Sequence, residues 1–361
     1  MGTDDVVLFP NNGGEGELLI EDVSLGVISL SNSSNPVMGI GFKALQSVVD
    51  YNLDQVEYDS LPYQMANQDI INIPAYSISI LTNKTIGNSS ITFGAIDSTR
   101  FTGDLNVFPI PYPAGRNEPV YISIVLNKIT TDDGSELASG AAYAILDTGS
   151  SETYFPQDIV NAIGSTYFQH DSTYDIYYSK CSRLLETNIN FEFSGVSYSV
   201  PMTQFVETAD DFFVVDHEQF SGQCILNILT TGDDTFMLGD SFLRSVYMVV
   251  DLENGEVGLA SSLGIEFDED NASGNFTEIV DSIPGIQAPG YDSGLDYTQL
   301  TVTANTTDSS SSSSSNSNSG VSLNTQKSKK TAKKNGKSHK GKKTSKNGKS
   351  KKQSKYRLHH D

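Results

Sequence analysis

One short segment of the sequence carries the residue types that acid–base chemistry needs. Asp147-Thr-Gly-Ser-Ser151 follows directly on the apolar run Ala142–Leu146, which predicts a strand. Glycine permits a tight turn after the strand, and the hydroxyl residues can satisfy backbone groups and hold the carboxylate. Since a carboxylate at the end of a buried strand is costly unless its surroundings stabilise it, Asp147 is a candidate general acid or base. The alternative is a turn aspartate that accepts backbone N–H bonds, which is the usual explanation of an Asp-Thr-Gly triplet.

A second apolar segment, Phe236-Met-Leu-Gly239, ends in glycine further along the chain. After it, the apolar runs Tyr247–Leu252 and Glu256–Ala260 flank the pair Asn254-Gly255. Asn-Gly between two such runs is a strong signal for a β-hairpin. The combination of an aspartate turn, an apolar-Gly segment and a hairpin favours a functional site over an isolated turn.

These segments together resemble the C-terminal lobe of pepsin-like aspartic peptidases. Their amino-acid sequences are most similar to those of the fungal secreted candidapepsins and yapsins. The resemblance is carried by Leu146–Ser151, by Met237–Arg244 and by the hairpin. It covers residues 1 to about 268 and implies an all-β, bilobal acid protease fold. Earlier segments are similar to the apolar-Gly loop, the helix-and-strand passage and the interlobe strand of that family, namely Pro36–Phe42, Ser60–Tyr76, Ile91–Asp97 and Phe101–Leu105.

The resemblance implies a chemistry and assigns roles. In this family two aspartates, one from each lobe, share a proton and a water molecule; one activates the water while the other donates to the peptide carbonyl. The pair titrates as a unit and favours acid pH, and no cofactor or metal is implied. Asp147 matches the catalytic aspartate of the C-terminal lobe. The resemblance also assigns substrate binding to Gly149, Ser150 and Ser151, support of the motif to Thr148, Leu238 and Gly239, and a disulfide to Cys181 and Cys224.

The sequence departs from the family pattern at its N-terminal side. The first Asp-Thr-Gly and the flap tyrosine of the family are absent, and Asp292-Ser-Gly294 has no apolar strand before it. We therefore do not expect Asp292 to be the partner of Asp147. For the histidines near Asp171 and Asp216, the sequence predicts solvent-exposed His–Asp pairs on the surface. The sequence suggests no catalytic pairing for these two histidines, His170 and His217, nor for His339, His360 and Asp240.

This departure leads us to expect an N-terminally truncated form of an aspartic endopeptidase, inactive by itself if the second aspartate and the flap are missing. The competing hypothesis is a catalytically dead, peptidase-like protein that binds peptides or surfaces. The basic run Lys327–Lys355 would then contact anionic polymers, and association with a cell wall is a further expectation. A solvated tail is the ordinary interpretation of such a run.

Short apolar runs with period-two alternation predict strands at 17–21, 75–81, 120–126 and 247–252. Amphipathic segments predict helices at 42–49 and 156–163, the second with Pro156 in its first turn. We expect the remainder of the N-terminal lobe and the interlobe strand over residues 1–110, and the C-terminal lobe over 111–268. Residues 269–361 are Ser/Asn-rich and then Lys-rich, which predicts a disordered tail.

Charge is distributed unevenly along the chain. The whole sequence has 23 basic and 45 acidic residues, a net charge of −22. Residues 327–361 contain 14 lysines and one arginine against one acid, so residues 1–326 have 8 basic and 44 acidic residues and a net charge of −36. Such a body repels itself at neutral pH and relaxes as carboxylates become protonated. We expect protein or peptide substrates, with Lys or Arg near the scissile bond, and no nucleic-acid partner.

Two cysteines and six Asn-X-Ser/Thr sequons indicate an extracellular or cell-surface setting. No apolar run approaches the ~18 residues of a membrane helix, and neither a signal peptide nor a GPI signal is visible. Since sequons and a disulfide make little sense without secretion, this supports the expectation of a truncated sequence. The sequons begin at Asn32, Asn83, Asn88, Asn271, Asn275 and Asn305.

Overall fold

The computed structural model describes residues 2–8, 17–25, 37–45, 58–81, 89–112, 118–213, 218–232, 235–263, 274–291 and 301–302. They lie in one compact unit that extends to Thr307. Strands dominate, which confirms the predicted all-β class. The strands are β1 (Gly2–Leu8), β2 (Leu18–Leu25), β3 (Ala75–Ser79), β4 (Ser90–Phe93), β5 (Ala95–Asp97), β6 (Phe101–Pro109), β7 (Ser123–Thr131), β8 (Glu136–Leu146), β9 (Thr153–Phe155), β10 (Gln169–Asp171), β11 (Ile176–Lys180), β12 (Asn188–Phe193), β13 (Val196–Pro201), β14 (Val206–Thr208), β15 (Gln223–Leu226), β16 (Ile228–Thr230), β17 (Phe236–Leu238), β18 (Val246–Asp251), β19 (Glu256–Ser262), β20 (Phe276–Glu278), β21 (Ile286–Gln287) and β22 (Thr301–Val302).

Helices in these ranges are few and short. The α-helices are α1 (Leu61–Asn67), α2 (Gln157–Tyr167), α3 (Cys181–Leu184), α4 (Ala209–Phe212) and α5 (Asp240–Leu243), and the 3₁₀ helices are Lys43–Leu45, Met202–Phe205 and Glu218–Phe220. None of the described helices is long and apolar enough to pass through a bilayer.

The largest sheet has eight strands and contains the candidate site. Its strand order is β13-β12-β7-β8-β17-β9-β16, with β22 added on β8. Side chains of a strand point alternately to its two faces, so β12 buries Ile189, Phe191 and Phe193 completely. β8 pairs in parallel with β17, which places Leu146 opposite Leu238. A parallel pair requires a long crossover, and here the crossover contains most of the predicted C-terminal lobe.

A six-stranded sheet has the order β21-β6-β19-β18-β3-β4. β18 and β19 form the predicted hairpin, with Asp251 opposite Glu256 and Gly255 at a φ of 64°. All residues of β18 are buried. β18 pairs with β3 and β19 pairs with β6, so this sheet joins strands from both sides of the expected lobe boundary at residue 110. The division into lobes at that residue stays a prediction.

Most locally predicted elements are present with shifted ends. The four predicted strands correspond to β2, β3, β7 and β18. The helix predicted at 156–163 is α2, which begins at Gln157 with Pro156 as its N-cap residue and ends at Tyr167. The helix predicted at 42–49 is a 3₁₀ helix at Lys43–Leu45, and residues 46–49 lie outside the described ranges.

The expectation of disorder from residue 269 onward is wrong for residues 274–291. β20 pairs with β5 and β21 pairs with β6. Ile279 is 0% exposed and Ile283 is 5% exposed, and both pack in one cluster with Leu105 and Val249. The polar composition predicted too little apolar burial to offset the loss of conformational entropy on folding. The structure shows that burying a few apolar side chains is sufficient for this segment. Residues 292–300 and 303–361 lie outside the described ranges, so disorder there stays a prediction.

A disulfide joins Cys181, the first residue of α3, to Cys224 in β15. The two Cα atoms are 5.0 Å apart, within the usual range for a disulfide. This confirms the pair that the family resemblance implied. Ser179 of β11 lies opposite Cys224 in the sheet, so the bridge reinforces a strand pair that already exists.

We expect reduction of this disulfide to lower the free energy of unfolding by about 4 kcal/mol, because the bridge spans 43 residues and restricts the unfolded chain. Urea unfolding of the oxidised and the reduced protein measures the difference. The double variant Cys181→Ser/Cys224→Ser should match the reduced wild type and should not respond to reductant. A loss below about 1 kcal/mol would contradict the expectation and would point to a denatured state that is compact without the bridge.

Candidate active site

Asp147 follows directly on Leu146, the last residue of β8, which is 3% exposed. The Asp147 N–H donates to the Leu238 carbonyl at 3.0 Å, which continues the contact between β8 and β17 by one residue. Oδ1 of Asp147 accepts the Gly149 N–H at 2.9 Å, and the side chain is half-buried. Among the described residues, Oδ2 of Asp147 accepts no hydrogen bond. One oxygen is therefore held by the turn while the other is available to a proton or a ligand.

Gly239 allows the turn after Asp147 to pack against the end of β17. A Cβ atom at Gly239 would lie 2.5 Å from the Ser150 carbonyl oxygen and closer still to that of Glu152. The Asp240 N–H donates to the Ser150 carbonyl at 2.8 Å. Both segments are thus joined through backbone atoms, at a distance that only glycine permits. This geometry places Leu238 and Gly239 beside the Asp147 turn, and their predicted support of the motif stays a prediction.

A buried pair of hydroxyl groups links the same two segments. Thr153 Oγ1 and Ser241 Oγ are 2.7 Å apart, and both residues are buried. The Ser241 N–H also donates to the Ser151 carbonyl at 3.2 Å. Sequence reasoning did not identify Thr153, Ser241 or Glu152. Ser241 lies within the recognised segment Met237–Arg244, whereas Glu152 and Thr153 directly follow the segment Leu146–Ser151, and the sequence assigned none of them a role.

The residues predicted to bind substrate differ in accessibility. Gly149 and Ser151 are exposed, whereas Ser150 is half-buried, and Thr148, which was predicted to support the motif, is also exposed. The Ser150 hydroxyl donates to the Glu152 carbonyl at 3.0 Å and so stabilises the turn itself. Substrate contact by Gly149, Ser150 and Ser151 stays a prediction. Gly149 and Ser151 are the two that a substrate can reach without a change in the turn.

Several carboxylates surround the Asp147 turn. Burial raises the pKa of Asp240 above its ordinary value, the charges of Asp147 and Glu152 raise it further, and Arg244 opposes the rise. Oδ2 of Asp240 lies 3.8 Å from Nη2 of Arg244, a partner that the sequence did not suggest. The pKa of Glu207 is also raised, mainly by burial and then by neighbouring carboxylates that include Glu152.

We expect Asp240→Asn to raise the free energy of unfolding at pH 7 relative to wild type, and this gain to disappear on acidification. A carboxyl whose folded-state pKa is raised destabilises the fold while it is charged, and that cost vanishes as pH falls through the folded pKa toward the unfolded value of about 3.9. The lost pair with Arg244 is partly exposed and offsets at most about 1 kcal/mol.

Unfolding of Asp240→Asn and wild type at pH 7, 5 and 3 measures this difference. Asp158→Asn is the matched control, since Asp158 is an exposed residue of the first turn of α2. A difference between Asp240→Asn and wild type that stays constant with pH would contradict the expectation.

The other titratable residues singled out from the sequence do not join this site. His170 Nε2 lies 3.0 Å from Asp175 Oδ1 on an exposed surface, so its partner is Asp175 and not Asp171. Asp216, Asp292 and three of the histidines, at 217, 339 and 360, lie outside the described ranges. Within those ranges no three His, Cys, Asp or Glu side chains are grouped closely enough to hold a metal ion.

Comparison with known proteins gives consistent matches. The family model described as eukaryotic aspartyl protease matches residues 20–262. Aspartic proteinase 3 of Saccharomyces cerevisiae is 30% identical over 290 residues, which cover 76% of this chain and 48% of that protein. The probable aspartic-type endopeptidase opsB of Aspergillus oryzae is 32% identical over 283 residues, 75% of this chain and 55% of that protein. Secreted aspartic protease 8 of Candida albicans is 30% identical over 264 residues, 69% of this chain and 57% of that protein.

The chain thus spans about half the length of the curated relatives that it matches. Among solved structures, the crystal structure of aspartic proteinase from Irpex lacteus matches with a TM-score of 0.57 and 18% identity. That match covers 75% of this chain and 84% of the other. At this identity it supports the fold and not the activity, and it agrees with the expected bilobal, mainly β architecture.

Proposed function

Since this chain belongs to the eukaryotic aspartyl protease family, we propose that it serves in an aspartic endopeptidase, with Asp147 as one of the two carboxylates that hydrolyse the peptide bond. The observation that carries the proposal is the geometry of Asp147. Its backbone is anchored to Leu238 and its Oδ1 to Gly149, while its Oδ2 accepts no hydrogen bond from the described residues. A half-buried carboxylate held in one orientation is what a general acid or base requires.

The chemistry follows from two carboxylates that share one proton. Like charges about 3 Å apart cannot both be ionised, so one carboxylate removes a proton from water while the other protonates the peptide carbonyl. Asp147 has one role of the two, and the opposing carboxylate must lie close enough to share the proton and the water molecule with it. We further propose that Gly149, Ser150 and Ser151 contact the substrate backbone, which the exposure of Gly149 and Ser151 supports.

The substrates that we propose are proteins or peptides with Lys or Arg near the scissile bond. Residues 1–326 have a net charge of −36, which includes Glu152 beside the turn and Glu207, whose pKa the charge of Glu152 raises. A negative surface raises the local concentration of cationic substrates. Two finer expectations join this proposal, namely division of the body into lobes near residue 110 and an extracellular or cell-surface location with association with the cell wall.

Hydrolysis of a denatured protein near pH 4 tests the proposal, with and without the aspartic-peptidase inhibitor pepstatin. Because the chain spans about half the length of its relatives, the assay uses the complete natural gene product alongside the 361-residue chain. Turnover that pepstatin blocks is the expected result, and the sequenced fragments should show Lys or Arg next to the cleaved bonds. Fragments that end only at bulky apolar residues would refute the charge preference. Peptide binding by the folded protein without turnover would favour the catalytically dead alternative.

A further inference from the structure

Asn275 is the one sequon asparagine that lies within the described ranges. It begins the sequence Asn275-Phe-Thr277, in which any residue but proline is permitted at the middle position. Both Asn275 and Thr277 are exposed. The acceptor amide and the hydroxyl that the sequon requires are therefore both accessible on the folded surface.

The backbone of Asn275 is held while its side chain is not. Its N–H donates to Asp97 Oδ1 at 3.1 Å, and its carbonyl accepts the Ser98 N–H at 3.0 Å. Asp97 is 4% exposed and also accepts from Thr99 and Arg100. Among the described residues, the Asn275 carboxamide makes no hydrogen bond. Within the described ranges, the hydrogen bonds of Asn275 are those of its main chain, so a substituent on the amide nitrogen breaks none of them.

The surface next to Asn275 is one that a glycan would protect. Phe276 is 52% exposed, and its ring lies over Gly274, since a Cβ there would collide with that ring. β20 and β5 form a two-stranded sheet, and every residue of β20 is exposed. Exposed edge strands that carry large apolar side chains promote edge-to-edge association unless they are covered or charged.

We propose that Asn275 is an N-glycosylation site whose oligosaccharide covers Phe276 and the outer edge of β20. The amide nitrogen of Asn275 forms a bond to C1 of the first sugar of a lipid-diphosphate-linked oligosaccharide. The C1–O bond to the diphosphate breaks, the lipid diphosphate leaves with the bonding electrons, and the amide gives up one proton. The inference rests on the proposed secretory location, and it does not depend on proteolytic activity.

The test expresses the full 361-residue chain behind a secretory leader in a yeast host, so that entry into the secretory route is supplied. Mass spectrometry of the peptide that contains Asn275, before and after enzymatic removal of N-glycans in ¹⁸O-water, reports occupancy at that residue. The chain is taken from the medium or, if it is retained, from the microsomal fraction. We expect a glycan on Asn275 in wild type and in Thr277→Ser, and none in Thr277→Val, which keeps the branched side chain but lacks the hydroxyl.

Light scattering of wild type and Thr277→Val then reports the proposed protective effect. We expect more association of the unglycosylated variant, and enzymatically deglycosylated wild type should behave like it. An unmodified Asn275 in the secretory pathway would overturn the site, and equal association of both forms would overturn the protective role. Neither result bears on hydrolysis, so failure of this inference is distinct from failure of the proposed peptidase function.

Discussion

Asp147→Asn is expected to reduce peptide hydrolysis on the order of 10²–10⁴-fold while leaving the fold unchanged. Asparagine has the same shape as aspartate and keeps an oxygen that can accept the Gly149 N–H now bound at 2.9 Å. The anchoring of residue 147 to Leu238 uses the main chain only, so it too survives the substitution. What is lost is the ability to take up and release a proton at this position. The measurement is kcat/KM on a denatured protein near pH 4, with thermal unfolding measured in parallel.

Asp158→Asn is the control for a general effect of removing a carboxylate, because Asp158 lies on the exposed side of α2. It should retain wild-type kcat/KM and wild-type unfolding. Equal activity of Asp147→Asn and wild type would remove Asp147 from the chemistry and leave only the family membership. A loss of activity together with a large fall in unfolding temperature would contradict the expected isosteric replacement.

Gly239→Ala is expected to lower the free energy of unfolding by about 3 kcal/mol or more. The added methyl carbon would lie 2.5 Å from the Ser150 carbonyl oxygen and nearer to that of Glu152. Both atoms belong to the main chain, so no side-chain rotation relieves the collision. The backbone of Gly239, at φ −89° and ψ −161°, is open to any residue, so the effect is steric and not conformational. Urea unfolding measures it.

Gly232→Ala is the matched control for a glycine-to-alanine change. A Cβ at Gly232 meets nothing within 4 Å, and this exposed residue should change stability by no more than about 0.5 kcal/mol. We also expect Gly239→Ala to move the Asp147 turn, so any folded fraction should be inactive. Wild-type stability in Gly239→Ala would show that the turn has room to shift, contrary to the described packing.

Local sequence patterns were sufficient to predict the elements whose stabilising interactions are between residues close together in the sequence. The Asn254-Gly255 hairpin was predictable because few residues other than glycine adopt the positive φ found at position 255. Helix α2 was predictable because its apolar residues recur on one face, and those residues, Ile159, Val160 and Ile163, are buried. The aspartate turn, the family and the Cys181–Cys224 bridge were also recognisable from the sequence.

By itself, then, the sequence determined the family, the candidate carboxylate at position 147 and the elements whose hydrogen bonds close over a few residues. Only the tertiary structure decided which groups surround that carboxylate. The Thr153–Ser241 hydroxyl pair joins residues 88 positions apart, and Asp240 is coupled to Asp147 across a similar distance in sequence. The burial of Ile279 and Ile283 likewise depends on partners far away in the chain. Such contacts arise from the pairing of β8 with β17 and of β20 with β5. Local composition does not specify which strands pair with each other.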